Sequence, residues 1–231
     1  MSSRSNHEEA LGPHQGGRVV EGGAPLGRAR AAMILVHGRG ASAESILDLA
    51  DLFAQPDVAY LAPQAAGHTW YPFSFLAPLE RNEPGLSSGL RAVGDVLARV
   101  EAAGLPAEKT VVLGFSQGAC LALEFAARHP RRYGGVVALS GGLIGTGGQA
   151  GAPPDDKRFD YEGSLDGTPV FLGCSDVDPH IPLARVRRSA EVLTALGGDV
   201  TERIYPGMGH TVSEDEVRFV RGLLARLIIP D

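Results

Sequence analysis

The stretch at residues 109–129 constrains the fold of this chain more than any other. An apolar, β-branched run at 110–113 leads into Gly-Phe-Ser-Gln-Gly at 114–118, and residues 119–127 are apolar nearly all round. This order predicts a buried strand, a sharp turn and a buried helix, with Ser116 on a strained corner and its hydroxyl above the sheet. Both glycines of the turn are expected where a side chain would collide with the backbone.

The pattern Gly-x-Ser-x-Gly is weak evidence without that context, because a chain with 31 glycines in 231 residues readily contains it by chance. It occurs again at 85–89, but the preceding residues 76–85 are predicted as a loop, and we expect Ser87 or Ser88 to cap the next helix. The helix after Ser116 instead aims its N-terminal N–H groups and positive dipole end at the serine, where an oxyanion would form. Ser116 is therefore the predicted nucleophile.

Strand and helix patterns alternate along the rest of the chain. Buried apolar runs predict strands, and apolar residues at helical spacing predict helices. The predicted strands lie at 18–21, 31–36, 58–62, 110–113, 135–139, 169–173 and 200–205. The predicted helices lie at 43–53, with Ser42 as its cap, and at 86–100, 119–127, 186–196 and 217–227. This alternation predicts an α/β fold with a mostly parallel central sheet and helices on both faces.

Three segments fall outside this alternation. Residues 1–17 are polar and glycine-rich, and they predict a flexible N-terminal tail before a single domain at 18–231. Residues 64–85 are predicted as a long loop that is rich in aromatic residues and proline. Residues 141–167 are rich in glycine, proline and aspartate, which indicates either an excursion over the end of the sheet or a disordered loop.

Composition narrows the functional classes. A net charge of −6 argues against nucleic acids and anionic membranes as partners, because both favour a basic face. No apolar run approaches the ~20 residues that span a bilayer, and the N-terminal residues lack the apolar region of a secretory signal. Two cysteines do not suggest a disulfide scaffold, although a disulfide between them stays open. We expect a cytoplasmic enzyme, and the sequence leaves open whether it forms a homodimer.

The predicted nucleophile requires a base, since a serine hydroxyl reacts poorly until its proton is taken. In parallel sheets the working residues gather at the carboxyl ends of the strands. His210 lies in a glycine-containing turn between the last strand and the last helix, so we predict it as the base. The carboxylate that orients it is expected after the strand at 169–173, where Asp176 and Asp178 both qualify. Asp178 is favoured because the proline after it restricts its backbone.

An oxyanion hole needs two backbone N–H groups, and we predict those of Gln117 and Arg39. The Arg39 side chain has two open roles: it binds an acidic substrate group or, as is commoner for surface arginines, it is solvated or salt-bridged. The aromatic loop also has two: its side chains line an apolar substrate pocket, or they fill the end of the sheet as core. The candidate substrate-binding residues are Trp70, Tyr71, Phe73 and Phe75.

Four motifs follow one another in a characteristic order. They are residues 35–40 (LVHGRG), 114–118 (GFSQG), 178–182 (DPHIP) and 207–210 (GMGH). Together they resemble the phospholipase/carboxylesterase family of α/β-hydrolases, which contains acyl-protein thioesterases and small bacterial carboxylesterases, and the resemblance covers residues 31–227. It implies the α/β-hydrolase fold, a triad of Ser116, Asp178 and His210, and neither a metal nor a cofactor.

Two positions separate this chain from relatives of that family. Related dienelactone hydrolases carry a cysteine nucleophile, whereas this chain has Ser116. Arg39 stands where the thioesterases often have an apolar residue, which disfavours long-chain acyl-protein substrates.

These observations predict a serine carboxylesterase that hydrolyses short-chain or aryl esters of small molecules through an acyl-enzyme intermediate on Ser116. Two further interpretations remain open. One is a thioesterase, a lysophospholipase-type acyl hydrolase or a peptidase on the same scaffold, each of which would use the same triad chemistry. The other is a ligand-binding protein of the same fold with little turnover, because a fold does not determine a function.

Overall fold

The computed structural model describes residues 12–149, 151 and 156–229, and a seven-stranded β-sheet forms its centre. The strands are β1 (Val19–Gly23), β2 (Ala31–Val36), β3 (Val58–Pro63), β4 (Thr110–Phe115), β5 (Gly135–Leu139), β6 (Pro169–Ser175) and β7 (Asp199–Tyr205). Their order across the sheet is β1-β3-β2-β4-β5-β6-β7. Of these described strands, β1 alone runs antiparallel to its neighbour, so the predicted, mostly parallel sheet is confirmed.

Helices surround this sheet near the positions that the apolar periodicity predicts. They are α1 (Ala43–Leu47), α2 (Leu49–Phe53), α3 (Leu79–Asn82), α4 (Gly85–Ala102), α5 (Gln117–Arg128), α6 (Leu183–Ala195) and α7 (Glu214–Ile228), with short 3₁₀ turns at Leu26–Arg28, Ala66–His68 and Ala107–Lys109. The predicted helix at 43–53 is interrupted at Asp48, where the backbone keeps right-handed helical angles (φ −56°, ψ −23°). Helix α3 lies in the segment predicted as a loop, because a single turn carries no apolar periodicity.

The start of α4 differs from the prediction, because neither Ser87 nor Ser88 caps it. The helix begins at Gly85, so both serines lie in its first turn. The Glu83 carboxylate takes the capping role instead, since it accepts hydrogen bonds from the Ser87 backbone N–H (3.0 Å) and the Ser87 hydroxyl (2.8 Å). A carboxylate at this place also suits the positive end of the helix dipole.

Each face of the sheet carries its own apolar core, because successive residues of a strand point to opposite sides. Along β2, Ile34 belongs to the cluster that includes α4, α5 and α6, and Leu35 belongs to the cluster that includes α1, α2 and α7. All six residues of β2 are fully buried, which explains its uninterrupted apolar run. Within the described ranges, none of the helices has both the length and the apolar character to cross a membrane.

Residues 12–17 belong to the predicted flexible tail, but the structure packs them against the rest of the protein. The His14 side chain is buried: its Nδ1 accepts a hydrogen bond from the Ala66 N–H (3.0 Å) and its Nε2 donates to the Trp70 carbonyl (2.8 Å). These partners require a neutral ring with its proton on Nε2. The sequence does not predict this packing, because it rests on hydrogen bonds of a polar side chain and not on an apolar pattern. The remainder of the predicted tail, residues 1–11, lies outside the described residues.

The described part of the segment at 141–167 is anchored by a buried carboxylate of α5. Glu124 has no exposed surface, and it accepts hydrogen bonds from the backbone N–H groups of Ile144 (2.9 Å) and Gly145 (3.0 Å). The same carboxylate accepts a hydrogen bond from the hydroxyl of Tyr161 (2.8 Å). The described residues of this segment therefore form an anchored excursion, the first of the two predicted alternatives.

The buried imidazole of His14 makes the stability of the fold depend on pH. Burial lowers its pKa below the ordinary value of 6.5, although the hydrogen bond to the Trp70 carbonyl opposes the shift. The unfolded chain therefore takes up a proton at higher pH than the folded protein does, so stability is lost as the pH falls below about 6.5. We expect the free energy of unfolding, measured with urea, to fall from about pH 7 to about pH 5.5.

The His14→Gln variant tests this origin, because glutamine keeps one donor and one acceptor at the site. Its free energy of unfolding should depend less on pH than that of the original protein, by up to ~1.4 kcal/mol per pH unit. The same slope in both proteins would show that His14 does not carry the effect.

Candidate active site

Ser116 lies at the corner where β4 ends and α5 begins. Its backbone angles are φ 55° and ψ −118°, a conformation that costs a non-glycine residue roughly 1–3 kcal/mol and persists only where the surroundings enforce it. A Cβ atom at Gly114 would lie 2.1 Å from the Gly118 carbonyl oxygen, and one at Gly118 would lie 2.0 Å from the Val36 carbonyl oxygen. Glycine at both positions is therefore what lets strand and helix meet so closely, as the turn pattern predicts.

The structure brings Ser116, His210 and Asp178 together at the carboxyl edge of the sheet. The His210 Nδ1 lies 2.7 Å from the Asp178 Oδ2, and the His210 Nε2 lies 2.8 Å from the Ser116 Oγ. A carboxylate only accepts hydrogen bonds, so Nδ1 carries the proton and Nε2 is left to accept from the serine hydroxyl. This is the arrangement in which a histidine activates a serine.

The two aspartates that follow β6 have different partners. The Asp178 side chain has no exposed surface, and its Oδ1 accepts hydrogen bonds from the backbone N–H groups of residues 180–181 (2.8 and 3.0 Å). Burial opposes its ionisation, but these bonds and the one from His210 outweigh burial and lower the pKa of the carboxyl below its ordinary value. Asp176 instead accepts a hydrogen bond from the Gly207 N–H (2.8 Å), so it braces the loop that carries the histidine.

The His210 ring is held between two other rings. The Phe115 ring centroid lies 5.0 Å from it, and the His180 ring lies 4.9 Å away and nearly perpendicular. With these neighbours the His210 side chain is 19% exposed. Within the described residues the His180 ring makes no hydrogen bond to Ser116, so His210 is the base candidate by geometry.

The backbone N–H groups of Arg39 and Gln117, predicted to form an oxyanion hole, donate to no atom of the described residues. Gln117 is the first residue of α5, where N–H groups have no intrahelical partner and the dipole is positive. Gly38, next to Arg39, lies so close to the corner that a Cβ atom there would be 3.5 Å from the Ser116 Cβ. Both N–H groups are therefore available beside the serine for an oxyanion.

The four aromatic candidates divide between core and cavity. Trp70 has no exposed surface, and its Nε1 donates a hydrogen bond to the His37 carbonyl (2.9 Å). It does not line the cavity, so the prediction of a substrate contact is wrong for Trp70, whose indole N–H is satisfied by a buried carbonyl instead. Tyr71, Phe73 and Phe75 do line the cavity beside the serine.

The Arg39 guanidinium binds the aromatic loop of its own chain, which the sequence does not predict. Its Nη1 donates to the Thr69 Oγ1 (3.2 Å) and the Pro72 carbonyl (2.9 Å). Its Nη2 donates to the carbonyls of Tyr71 (2.9 Å) and Phe73 (2.6 Å). Four of its five N–H donors are thus engaged. The exposed Arg39 is therefore solvated, as one of the two predicted roles has it, but it is also held by its own chain. Three of the acceptors are backbone carbonyls, which leave no signal in a sequence.

Two further polar side chains hold the same loop. The Lys157 ammonium donates hydrogen bonds to the carbonyls of Ala77 (2.9 Å) and Ile144 (3.1 Å), which ties the loop to the excursion. The buried Asn82 side chain accepts a hydrogen bond from the Phe73 N–H (2.9 Å). Because side chains satisfy these backbone groups, the loop forms a preformed wall of the cavity.

The cavity beside the serine is open and has a volume of about 630 Å³, which is in the range that binds small molecules. The lining also includes residues that the sequence does not predict as substrate contacts, namely Phe115, Cys120, His180 and Ile181. Burial raises the pKa of the Cys120 thiol to about 12, so it stays protonated and does not compete as a nucleophile. Cys120 and Cys174 are both free thiols, so they do not form the disulfide that the sequence left open.

The fold and this arrangement of serine, histidine and aspartate define the class of α/β-hydrolases. Residues 18–228 match the phospholipase/carboxylesterase family, which is most of the chain. The chain therefore belongs to the phospholipase/carboxylesterase family, as its four motifs predict.

Similar proteins include both esterases and thioesterases. The crystal structure of a phospholipase/carboxylesterase from Dyadobacter fermentans superimposes with a TM-score of 0.82 and 41% identity, over 90% of this chain and 96% of that one. Acyl-protein thioesterase 1 of Gibberella zeae is 33% identical over 129 residues, which are 55% of this chain and 52% of the thioesterase. A protein of Oryza sativa subsp. japonica named "Probable carboxylesterase" is 26% identical over 84% of this chain and 76% of its own length. The chain thus spans about half the length of the fungal thioesterase that it matches.

The different partners of the two aspartates predict different effects of their removal. Asp178→Asn should lower kcat by about 10²–10⁴-fold, because an amide does not hold the His210 tautomer that the reaction needs. Asp176→Asn is the matched control: it keeps an acceptor for the Gly207 N–H, so its kcat should fall less than about tenfold. Steady-state kinetics on an ester measure both. The opposite ranking would assign the acid to Asp176.

Proposed function

We propose that this protein is a serine carboxylesterase that hydrolyses short-chain or aryl esters through an acyl-enzyme on Ser116. One observation carries the proposal: hydrogen bonds of 2.8 and 2.7 Å lead from Ser116 through His210 to Asp178, beside an apolar cavity. Family membership supports an ester or a thioester as the substrate class. The lining of the cavity then favours some acyl groups over others.

In the proposed reaction the Ser116 Oγ attacks the carbonyl carbon of the ester while the His210 Nε2 takes the hydroxyl proton. Asp178 stabilises the imidazolium that forms. The carbonyl oxygen becomes an oxyanion, which the backbone N–H groups of Arg39 and Gln117 bind. The bond from the carbon to the leaving oxygen then breaks as the carbonyl re-forms, and the imidazolium gives its proton to that oxygen, which departs as the alcohol. Ser116 is left carrying the acyl group.

Deacylation uses the same groups a second time. A water molecule attacks the acyl carbon, with His210 again as the base and the same N–H groups around the oxyanion. The bond to the Ser116 Oγ breaks, the serine regains its proton from the imidazolium, and the carboxylic acid leaves.

The lining of the cavity supports a neutral, apolar substrate. Within the described residues no carboxylate lines it, and the Arg39 guanidinium is engaged by its own loop. Of the three side chains of the aromatic loop that line the cavity, Phe73 is 43% exposed and offers apolar surface, whereas Tyr71 and Phe75 are buried and present little of theirs. Such a lining suits aryl and short acyl groups. Lys157 ties the same wall to the excursion, which disfavours the opening that a long acyl chain would require.

A series of p-nitrophenyl esters with increasing acyl length tests this function. We expect the highest kcat/KM for short chains, and Ser116→Ala should lower kcat by at least ~10³-fold. Ser87 stands at the other Gly-x-Ser-x-Gly match and bonds Glu83 at the start of α4, so Ser87→Ala should keep kcat within about threefold. A fluorophosphonate should label Ser116 alone, and labelling that survives Ser116→Ala would refute the assignment.

A thioesterase is the second candidate, because the similarity to a fungal acyl-protein thioesterase favours it. The proposed triad would attack a thioester by the same steps. Assays with a thioester and an ester of the same acyl group separate the two, and a higher kcat/KM for the thioester would select the second candidate. Tight binding of both substrates without product release would instead indicate a ligand-binding protein.

A further inference from the structure

The wall of the cavity and the two residues of the proposed oxyanion hole meet at one atom, the carbonyl oxygen of Tyr71. This oxygen accepts one hydrogen bond from the Arg39 Nη2 (2.9 Å) and another from the Gln117 Nε2 (2.8 Å). Arg39 follows β2, and Gln117 begins α5. The shared acceptor therefore connects the two sides of the oxyanion hole to each other and to the wall.

The Gln117 side chain is buried, and both ends of its amide are engaged. Its Nε2 donates to the Tyr71 carbonyl, and its Oε1 accepts a hydrogen bond from the Trp70 N–H (2.9 Å). A carbonyl only accepts and an N–H only donates, so these partners fix the orientation of the amide. The amide thus links the aromatic loop to the first turn of α5.

The planar guanidinium of Arg39 donates to four acceptors of the same loop. Rotation about any one bond of the side chain would therefore break some of these hydrogen bonds. The backbone beside it is also tied to the aromatic segment. The Gly40 N–H donates to the His68 carbonyl (2.7 Å), and the His68 Nδ1 lies 2.8 Å from the Ala41 carbonyl oxygen. The turn that carries the Arg39 N–H is therefore fastened to the loop by its backbone and by its guanidinium.

We propose that Arg39 and Gln117 are positioning residues whose side chains hold the wall of the cavity in register with the oxyanion hole. This inference rests on the proposed ester hydrolysis at Ser116. The wall binds the acyl group, and the two backbone N–H groups bind the oxyanion that forms on the same carbonyl, so a shift of one against the other misaligns the ester. A misplacement of about 1 Å costs as much as about 10²-fold in rate. The side chains act through the Tyr71 carbonyl.

A double-mutant cycle on p-nitrophenyl acetate tests this inference, with Arg39→Met, Gln117→Met and the double variant. Each substitution removes side-chain hydrogen bonds but keeps the backbone N–H. Each single variant should lower kcat by about 10–100-fold and change KM less than about threefold, because the alignment matters most in the transition state. The double variant should lie within about threefold of the slower single variant, since both side chains act through one acceptor.

A second measurement separates positioning from a loss of fold. The serine Oγ adds to the carbonyl carbon of a trifluoromethyl ketone, and the ketone oxygen becomes an oxyanion. The inhibition constant of such a ketone should therefore rise by the same factor by which kcat falls. A variant that is merely less stable would not change the inhibition constant and kcat by the same factor. If Gln117→Met does not fold, Gln117→Glu replaces it, because the carboxylate keeps an acceptor for the Trp70 N–H. Arg28→Met, at an exposed arginine, is the control and should keep the original kcat.

Three results would overturn the inference: an unchanged kcat in Arg39→Met, a raised KM at constant kcat, or losses that multiply in the double variant. Each of these results would leave the proposed function, ester hydrolysis at Ser116, unaffected. The proposed function fails separately, if the original protein hydrolyses no ester or if Ser116→Ala keeps its activity.

Discussion

The close approach of α5 to the ends of β2 and β4 is the contact on which the rest of the structure depends. The backbone at Gly118 lies against the Val36 carbonyl, and Gly114 lies against Gly118, with no room for a methyl group at either position. This contact turns the chain at Ser116, directs the first turn of α5 at it and brings the loop after β2 alongside. A side chain at either glycine would push the helix outward, and Ser116, the N-terminus of α5 and the Arg39 N–H would then move apart.

The other two members of the proposed triad depend on loops that the sheet places side by side. Asp178 follows β6 and His210 follows β7, and these strands are parallel neighbours. The hydrogen bond from the Gly207 N–H to Asp176 joins the two loops. Beyond His210, Ser213 forms a capping box that starts α7. The histidine is therefore held from both directions along the chain, although its loop contains two glycines.

The sequence predicts the strands and most of the helices, because these depend on regular patterns of buried residues. The positions of the loop side chains depend on contacts between distant loops, and only the structure gives them. The strands at 31–36 and 135–139 have the predicted bounds, because both are apolar throughout and buried. The aromatic loop has no such regularity: Trp70 is core while Phe73 is 43% exposed, and nothing in their spacing distinguishes them. The Trp70 indole N–H donates to the His37 carbonyl, whereas the Phe73 carbonyl accepts a hydrogen bond from Arg39. Partners of this kind leave no pattern in a sequence.

The backbone of Ser116, the proposed nucleophile, is strained, so on the proposed function the most stable form of this fold is not the reactive one. With φ at 55°, this residue occupies a region that glycine enters freely and serine does not. The hydroxyl of the proposed nucleophile is therefore attached to a residue that weakens the native state, and the stability of the surrounding core has to compensate for that loss. Laboratory evolution for heat resistance alone would tend to replace Ser116, so such a selection must also demand turnover if the reaction is to persist.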